Sequence, residues 1–176
     1  MLSGYPGSGK STVSREFKRM NYNIIDGDVY SKTKMLEEVK KMLQKRQSFV
    51  IDGTFLDKKS RKVYLDMIGQ HKKEHGSKYE VILIQVTTDP FEAYVRNVKR
   101  SKTSSTILNP KKQRTIPLKT YEDFLKKYQP PSLIEGFDEI KQYPKSTIHD
   151  DYLRRLEKAD IKLSKYLTKK VMKKCF

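Results

Sequence analysis

Gly4-Tyr5-Pro6-Gly7-Ser8-Gly9-Lys10-Ser11 is a G-x-x-x-x-G-K-S string. Glycines at these spacings let backbone N–H groups turn inward around phosphate oxygens. A helix beginning at Ser11 would add its N-terminal dipole to the same anion. Lys10 is placed to reach the β- and γ-phosphates of a nucleoside triphosphate, and Ser11 to offer a hydroxyl to Mg²⁺. The spacing therefore predicts an ATP site built by Gly4, Pro6, Gly7, Ser8, Gly9, Lys10, Ser11 and Thr12, with Mg²⁺ as companion ion. A glycine-rich turn without a ligand is the plainer alternative. The apolar residues before the string and the helical pattern after it speak against that alternative.

Two aspartate-glycine turns follow short apolar runs. They are Asp26-Gly27-Asp28 after Asn23-Ile24-Ile25, and Asp52-Gly53-Thr54 after Phe49-Val50-Ile51. Asp-Gly pairs make good turns in any protein. Beside a phosphate loop they also suit a phosphoryl acceptor, whose hydroxyl needs a carboxylate to orient it and take its proton. Asp28 is assigned as that base. Asp52 is expected to hold Mg²⁺ through water or to hold the acceptor. Arg96 and Arg100 are four apart on one helical face. Their guanidinium forks suit the transferring phosphoryl group, in a lid over about residues 96–120.

These residues need strands and helices to carry them. Met1-Leu2-Ser3 reads as the end of a first strand. Only three residues precede the loop, fewer than a full strand needs, so a fragment or a strand continued outside this sequence stays open. Ser11–Met20 reads as a helix, Asn23–Ile25 as a strand, Lys32–Lys45 as a helix and Phe49–Ile51 as a strand. A helix capped by Asp57 runs to His75, where Gly76 stops it. Val81–Val86 is a fourth strand, and Asp89-Pro90 starts the next helix. Thr120 is taken as the cap of a helix from Tyr121 to Tyr128, with Pro130-Pro131 ending it. Phe137–Tyr143 is a last strand. From Asp150 to Lys173 one long helix carries an apolar stripe of Tyr152, Leu156, Ala159, Leu163 and Tyr166, expected to pack on the domain. Alternating strands and helices predict an α/β fold: a parallel sheet with helices on both faces, in three layers, with the ligand at the strands' carboxyl ends. The expected organisation is a domain over residues 1–145 and a basic C-terminal helical extension over 146–176.

Composition bounds the partners. The chain has 176 residues, 38 basic and 21 acidic, for a net charge of +17. Between Ala93 and Tyr121 there is no acidic residue, while Arg96, Lys99, Arg100, Lys102, Lys111, Lys112, Arg114 and Lys119 are all basic. Such a block repels itself unless an anion lies against it, and it exceeds what nucleotide phosphates alone would use. A nucleic acid is the larger anion that fits, and a solvated lysine-rich surface is the plain alternative. Cys175 is the only cysteine, so an internal disulfide is excluded. No apolar run approaches the ~20 residues of a membrane helix, and no secretory signal opens the chain. The expectation is a soluble intracellular protein, cytoplasmic or nuclear, with no membrane partner. His71-Lys72-Lys73-Glu74-His75 has the spacing of a zinc-peptidase motif, but lacks a nearby third ligand and sits on a strongly basic helix.

The phosphate loop with Ile51-Asp52-Gly53-Thr54, Arg96-Asn97-Val98-Lys99-Arg100, Lys127-Tyr128-Gln129-Pro130-Pro131 and Glu135-Gly136-Phe137 resembles the kinase domain of polynucleotide 5′-hydroxyl kinases. The similarity runs from Gly4 to about Tyr143. The last two strings are the most specific, since very many kinases share the loop. The resemblance implies transfer of the ATP γ-phosphoryl group to a 5′-hydroxyl end of DNA or RNA. It puts the base role on Asp28, the loop roles on Lys10 and Ser11, and lid-arginine roles on Arg100 and Arg96. It places Asp52 and Thr54 on the acceptor side. Asp26-Gly27 stands where that family usually has asparagine-arginine. Ser31 stands where phage-type members have a substrate-binding arginine, which leaves Lys32 as the neighbouring basic residue on the acceptor side. A phosphatase domain often found with such kinases is absent from the sequence. The alternatives are a small-molecule or nucleotide kinase of the same phosphate-loop class, since Asp26-Gly27-Asp28-Val29 also looks like adenylylsulfate kinase, and a nucleic-acid-binding ATPase module.

Overall fold

The computed structural model describes residues 1–103 and 116–143, without the side chains of residues 100–103. The expected C-terminal helix lies outside the described residues, as do Lys111, Lys112 and Arg114 of the basic block. Five strands form one sheet: β1 (Leu2–Ser3), β2 (Asn23–Asp26), β3 (Phe49–Asp52), β4 (Ile82–Val86) and β5 (Glu139–Tyr143). Their order is β2-β3-β1-β4-β5, and the pairs β2–β3, β3–β1 and β1–β4 are parallel. Leu2 stands opposite both Asp52 and Ile84, so the short first strand is central and fixes the register of its neighbours.

Strand residues alternate between two cores, as a pleated sheet requires. Leu2, Ile24, Val50 and Ile84 face Val13 and Phe17 of helix α1 (Lys10–Arg19). Ile25, Ile51 and Leu83 face the other way. There they pack with Met35, Val39 and Leu43 of α2 (Lys32–Gln44) and Tyr64, Leu65 and Ile68 of α3 (Lys58–His75). Helices thus cover both faces, as the alternating pattern predicted. A third cluster joins Tyr5 and Leu56 to Ala93 of α4 (Pro90–Thr103) and Tyr121 of α5 (Leu118–Lys127).

Most element ends follow local chemistry. Ser31 caps α2 by accepting from Lys34 N, and Asp57 caps α3 by accepting from Ser60 N at 2.7 Å. Gly76, at φ 59°, ends α3 in the left-handed region. Asp89 Oδ1 accepts from Phe91 N and Glu92 N at the start of α4. Helix α5 departs from expectation. It starts at Leu118 behind Pro117, whose ψ of 147° is the last extended backbone before the helix. Thr120 lies inside the first turn, donating its N–H to Pro117 O, and is not the cap.

The string Tyr128–Phe137 closes the fold on the start of α3. Gln129 exchanges bonds across it: its N donates to Leu56 O at 2.8 Å, and its Oε1 accepts from Lys58 N at 2.8 Å. Arg61 lies under the string with its side chain 1% exposed. It forks onto Glu135, Nε to Oε2 and Nη2 to Oε1, both at 2.8 Å. Its Nη1 also donates to Phe55 O and Gln129 O. A buried guanidinium needs this degree of satisfaction. Ser132 and Glu135 form a reciprocal capping box, and Phe137 enters the main core.

Candidate active site

The phosphate loop begins where β1 ends. Gly4 N donates to Thr54 O at 3.1 Å, tying the loop to the turn after β3. Ser3 Oγ donates to Thr54 O and Phe55 O. Phe55 has φ 41°, a conformation unfavourable for a bulky residue, and its carbonyl is held by both Ser3 and Arg61. Its ring leaves no room for a side chain at Gly53, where a Cβ would lie 2.7 Å from Cε2.

The loop apex is pressed under α4. Gly7 has φ 83°, and a Cβ there would stand 2.1 Å from Ala93 O. Only glycine fits on both counts. Tyr121, 2% exposed, donates its hydroxyl to Pro6 O and lies 3.5 Å from Ala93 O. Thr88 Oγ1 donates to Ser8 O at 2.7 Å. Gly9, at φ 104°, precedes α1 without any side-chain cap, and no acidic residue lies in the first turn. The first amides of α1 are therefore not taken by a side-chain oxygen, which suits an anion. Lys10 Nζ donates to Gly4 O at 2.9 Å and Tyr5 O at 3.0 Å, so its ammonium is folded back over the loop.

One cleft of about 730 Å³ is lined by Pro6, Gly7, Gly9, Lys10, Ser11, Thr12, Asp28, Lys32, Asp52, Thr54 and Arg96. Every residue assigned to the site lines it except Gly4 and Ser8, which form the loop's buried base, and Arg100. Arg100 lies on α4, and its side chain is outside the described residues. A larger cleft of about 830 Å³ opens at the amino ends of the strands, among Phe17, Tyr22, Ile82 and Ile84. It contains none of the phosphate-loop residues and cannot be the same site.

The two carboxylates after β2 behave differently. Asp26 Oδ1 accepts from Asp28 N at 2.8 Å, and Asp26 O accepts from Val29 N and Tyr30 N. Asp26 therefore builds the turn, while Asp28 is exposed at the cleft. Gly27 N donates to Asp52 O at 2.9 Å and brings the two acidic turns together. Asp52 is 5% exposed. Burial raises its pKa above the ordinary aspartate value, against the Lys10 charge and a Ser14 hydrogen bond, with Asp26 and Asp28 adding to the rise.

Arg96 is ion-paired with Glu92 one turn earlier on α4. It lines the cleft, yet a bound phosphate would have to compete with that carboxylate. Among the described residues no three His, Cys, Asp or Glu side chains could together hold a metal. The His71–His75 pair is a ring stack at 4.3 Å, with no metal cluster around it. Among the oxygen-bearing side chains that line the cleft, Ser11 and Asp52 fit Mg²⁺, which keeps several waters and takes few protein ligands. No helix among the described residues is long and apolar enough to cross a membrane.

Several residues that shape the site carry no signal in the string itself. Among them, Tyr121 and Thr88 act on the loop from other elements. Nothing in their spacing to Gly4–Ser11 marks them.

The chain is 26% identical over 158 residues to the bifunctional polynucleotide phosphatase/kinase of Schizosaccharomyces pombe, covering 85% of this chain and 34% of that protein. It is 29% identical over 166 residues to a putative bifunctional polynucleotide phosphatase/kinase of Acanthamoeba polyphaga mimivirus, covering 88% and 36%. The chain thus spans about a third of the length of these relatives. The crystal structure of a fungal RNA kinase shares the fold, with a TM-score of 0.56 at 20% identity, over 81% of this chain and 73% of that one. The resemblance read from Gly4 to Tyr143 is therefore met independently by the names of its relatives. Residues 1–117 match the family model described as AAA domain. The phosphate loop, both acidic turns and the start of α4 all fall within that match, and the chain belongs to the AAA domain family.

Proposed function

We propose that this chain transfers the γ-phosphoryl group of ATP to the 5′-hydroxyl end of DNA or RNA. The observation that carries the proposal is the single cleft in which Lys10, Ser11 and Gly7 meet Asp28, Asp52, Thr54 and Arg96. A triphosphate cradle and an accessible carboxylate share one space, as in-line phosphoryl transfer requires. The similarity to two polynucleotide phosphatase/kinases supports a nucleic-acid acceptor.

In this proposal Asp28 orients the 5′-hydroxyl and accepts its proton. The bond from the 5′-oxygen to Pγ forms as the bond from Pγ to the β-bridging oxygen breaks, and ADP leaves. The loop amides and Lys10 hold the phosphates, with Lys10 exchanging its bonds to Gly4 O and Tyr5 O for phosphate oxygens. Arg96, and Arg100 with it, stabilise charge on the transferring group. Ser11 would hold Mg²⁺, with Asp52 through water, and that ion would neutralise phosphate charge. Thr54 and Lys32 face the acceptor. The basic residues of 96–119 would track the strand's backbone.

The test is γ-labelled ATP with a 5′-hydroxyl oligonucleotide, with a nucleoside, and with buffer alone. Label on the oligonucleotide end is the expected result. Equal labelling of the free nucleoside would favour a small-molecule kinase. Release of labelled phosphate to water, with no labelled acceptor, would favour an ATPase module.

A further inference from the structure

Asn97 is 1% exposed, in the middle of α4, and belongs to the lining of the cleft. Its Oδ1 accepts from Ile116 N at 3.0 Å. A backbone N–H can only donate, so that bond fixes which end of the side-chain amide is oxygen. The other end is then an NH₂ group with two donors. This Nδ2 is buried and has no hydrogen-bond partner. An unmet buried donor is destabilising, and folded proteins leave few of them. Where one lines a cleft, a ligand is the natural acceptor.

The position narrows the ligand. A Cβ on Gly7 would stand 3.3 Å from Asn97 N and 2.1 Å from Ala93 O, so this turn of α4 lies directly against the loop apex. Asp52 at the cleft is already engaged by Ser14 and faces the Lys10 charge. A group that only accepts, and is held by the same loop, completes the amide: a phosphoryl oxygen. We infer that Asn97 is a further binding residue of this cleft, donating Nδ2–H to a phosphoryl oxygen of the bound triphosphate. The inference rests on the phosphotransfer reading of the cleft. It adds a neutral donor on α4, locked in orientation by Ile116, to the charged groups already assigned.

The experiment is calorimetric titration of the whole chain with the β,γ-imido analogue of ATP plus Mg²⁺, and separately with adenosine. Asn97→Asp keeps an oxygen for Ile116 N–H and replaces the donors by an anionic oxygen. It should weaken the imido analogue about 10-fold or more while adenosine changes less than about twofold. Asn97→Ala removes the donor without adding charge and should show the same selective loss, covering the case in which the aspartate variant does not fold. Equal weakening of both ligands, or wild-type affinity for the imido analogue in a folded variant, would overturn the inference. Failure of the wild-type chain to bind the imido analogue would instead remove the phosphotransfer reading itself.

Discussion

At the scale of single residues, the two aspartates around Gly27 are placed differently, and the proposed base is the exposed one. Asp26 spends an oxygen on the turn, and Asp28 is left exposed at the cleft. Asp28→Ala should therefore lower phosphoryl transfer about 10²–10⁴-fold, with imido-ATP affinity within about twofold of wild type. Steady-state labelling beside a binding titration checks both halves. Asp52 makes the opposite trade. Its folded pKa is raised, so it binds more protons folded than unfolded between its two pKa values. Its contribution is favourable below the ordinary aspartate value and is lost as pH rises through the higher folded value. At neutral pH the buried charge is a cost to the fold. Asp52→Asn should raise the melting temperature by about 2–4 °C at pH 7 while lowering transfer. A variant less stable than wild type at pH 7 would contradict this balance. The sequence displays all three aspartates equally. That Asp52 is the buried one depends on β2 and β3 lying side by side, which no local pattern records.

At the scale of elements, the most family-specific string turns out to be a clamp. Tyr128–Phe137 supplies no catalytic group. It holds the start of α3, and through Phe55 it holds the turn that presents Thr54. Burial alone would raise the Glu135 pKa, but Arg61, the Ser132 N–H and Lys58 together bring it below the ordinary glutamate value. Its stabilisation is present above the unfolded glutamate pKa and is lost as pH falls through the folded one. Glu135→Ala should cost about 3–5 kcal/mol by denaturant titration at pH 7, because it strands a buried guanidinium. The gap to wild type should shrink on acidification toward the folded pKa. On the other side of the site, Gly7→Ala drives a methyl group into the α4 backbone. Imido-ATP affinity should fall about 10-fold or more. The α-helices and strands of Met1–Tyr143 are legible, because caps such as Asp57 and stops such as Gly76 act locally, whereas the 3₁₀ turn Leu133–Glu135 is not. The start of α5 was misplaced, because Pro117 sets it and Thr120 only looks like a cap.

At the scale of the molecule, the net charge of +17 is a statement about long-range attraction to polyanions. If six phosphates are neutralised by the basic block, affinity for a 5′-hydroxyl oligonucleotide should fall about 10³-fold between about 50 and 200 mM salt. Fluorescence anisotropy across that range checks it, and a flat response would divorce the charge from nucleic-acid binding. Charge and sheet class could be read from composition and periodicity. Long-range pairings such as Tyr121 with Pro6 could not, since they join residues far apart in the chain.

Arg61 and Glu135 are separated by 74 positions. During synthesis, a nascent chain would thus carry an unneutralised cation in its forming interior until Glu135 emerged. A truncation ending at residue 117, where the family match stops, would have the phosphate loop and both acidic turns but no counter-ion for that cation. The carboxylate that neutralises Arg61 therefore lies past the segment that the family model matches, and a truncation at residue 117 should be less stable than one that reaches Phe137.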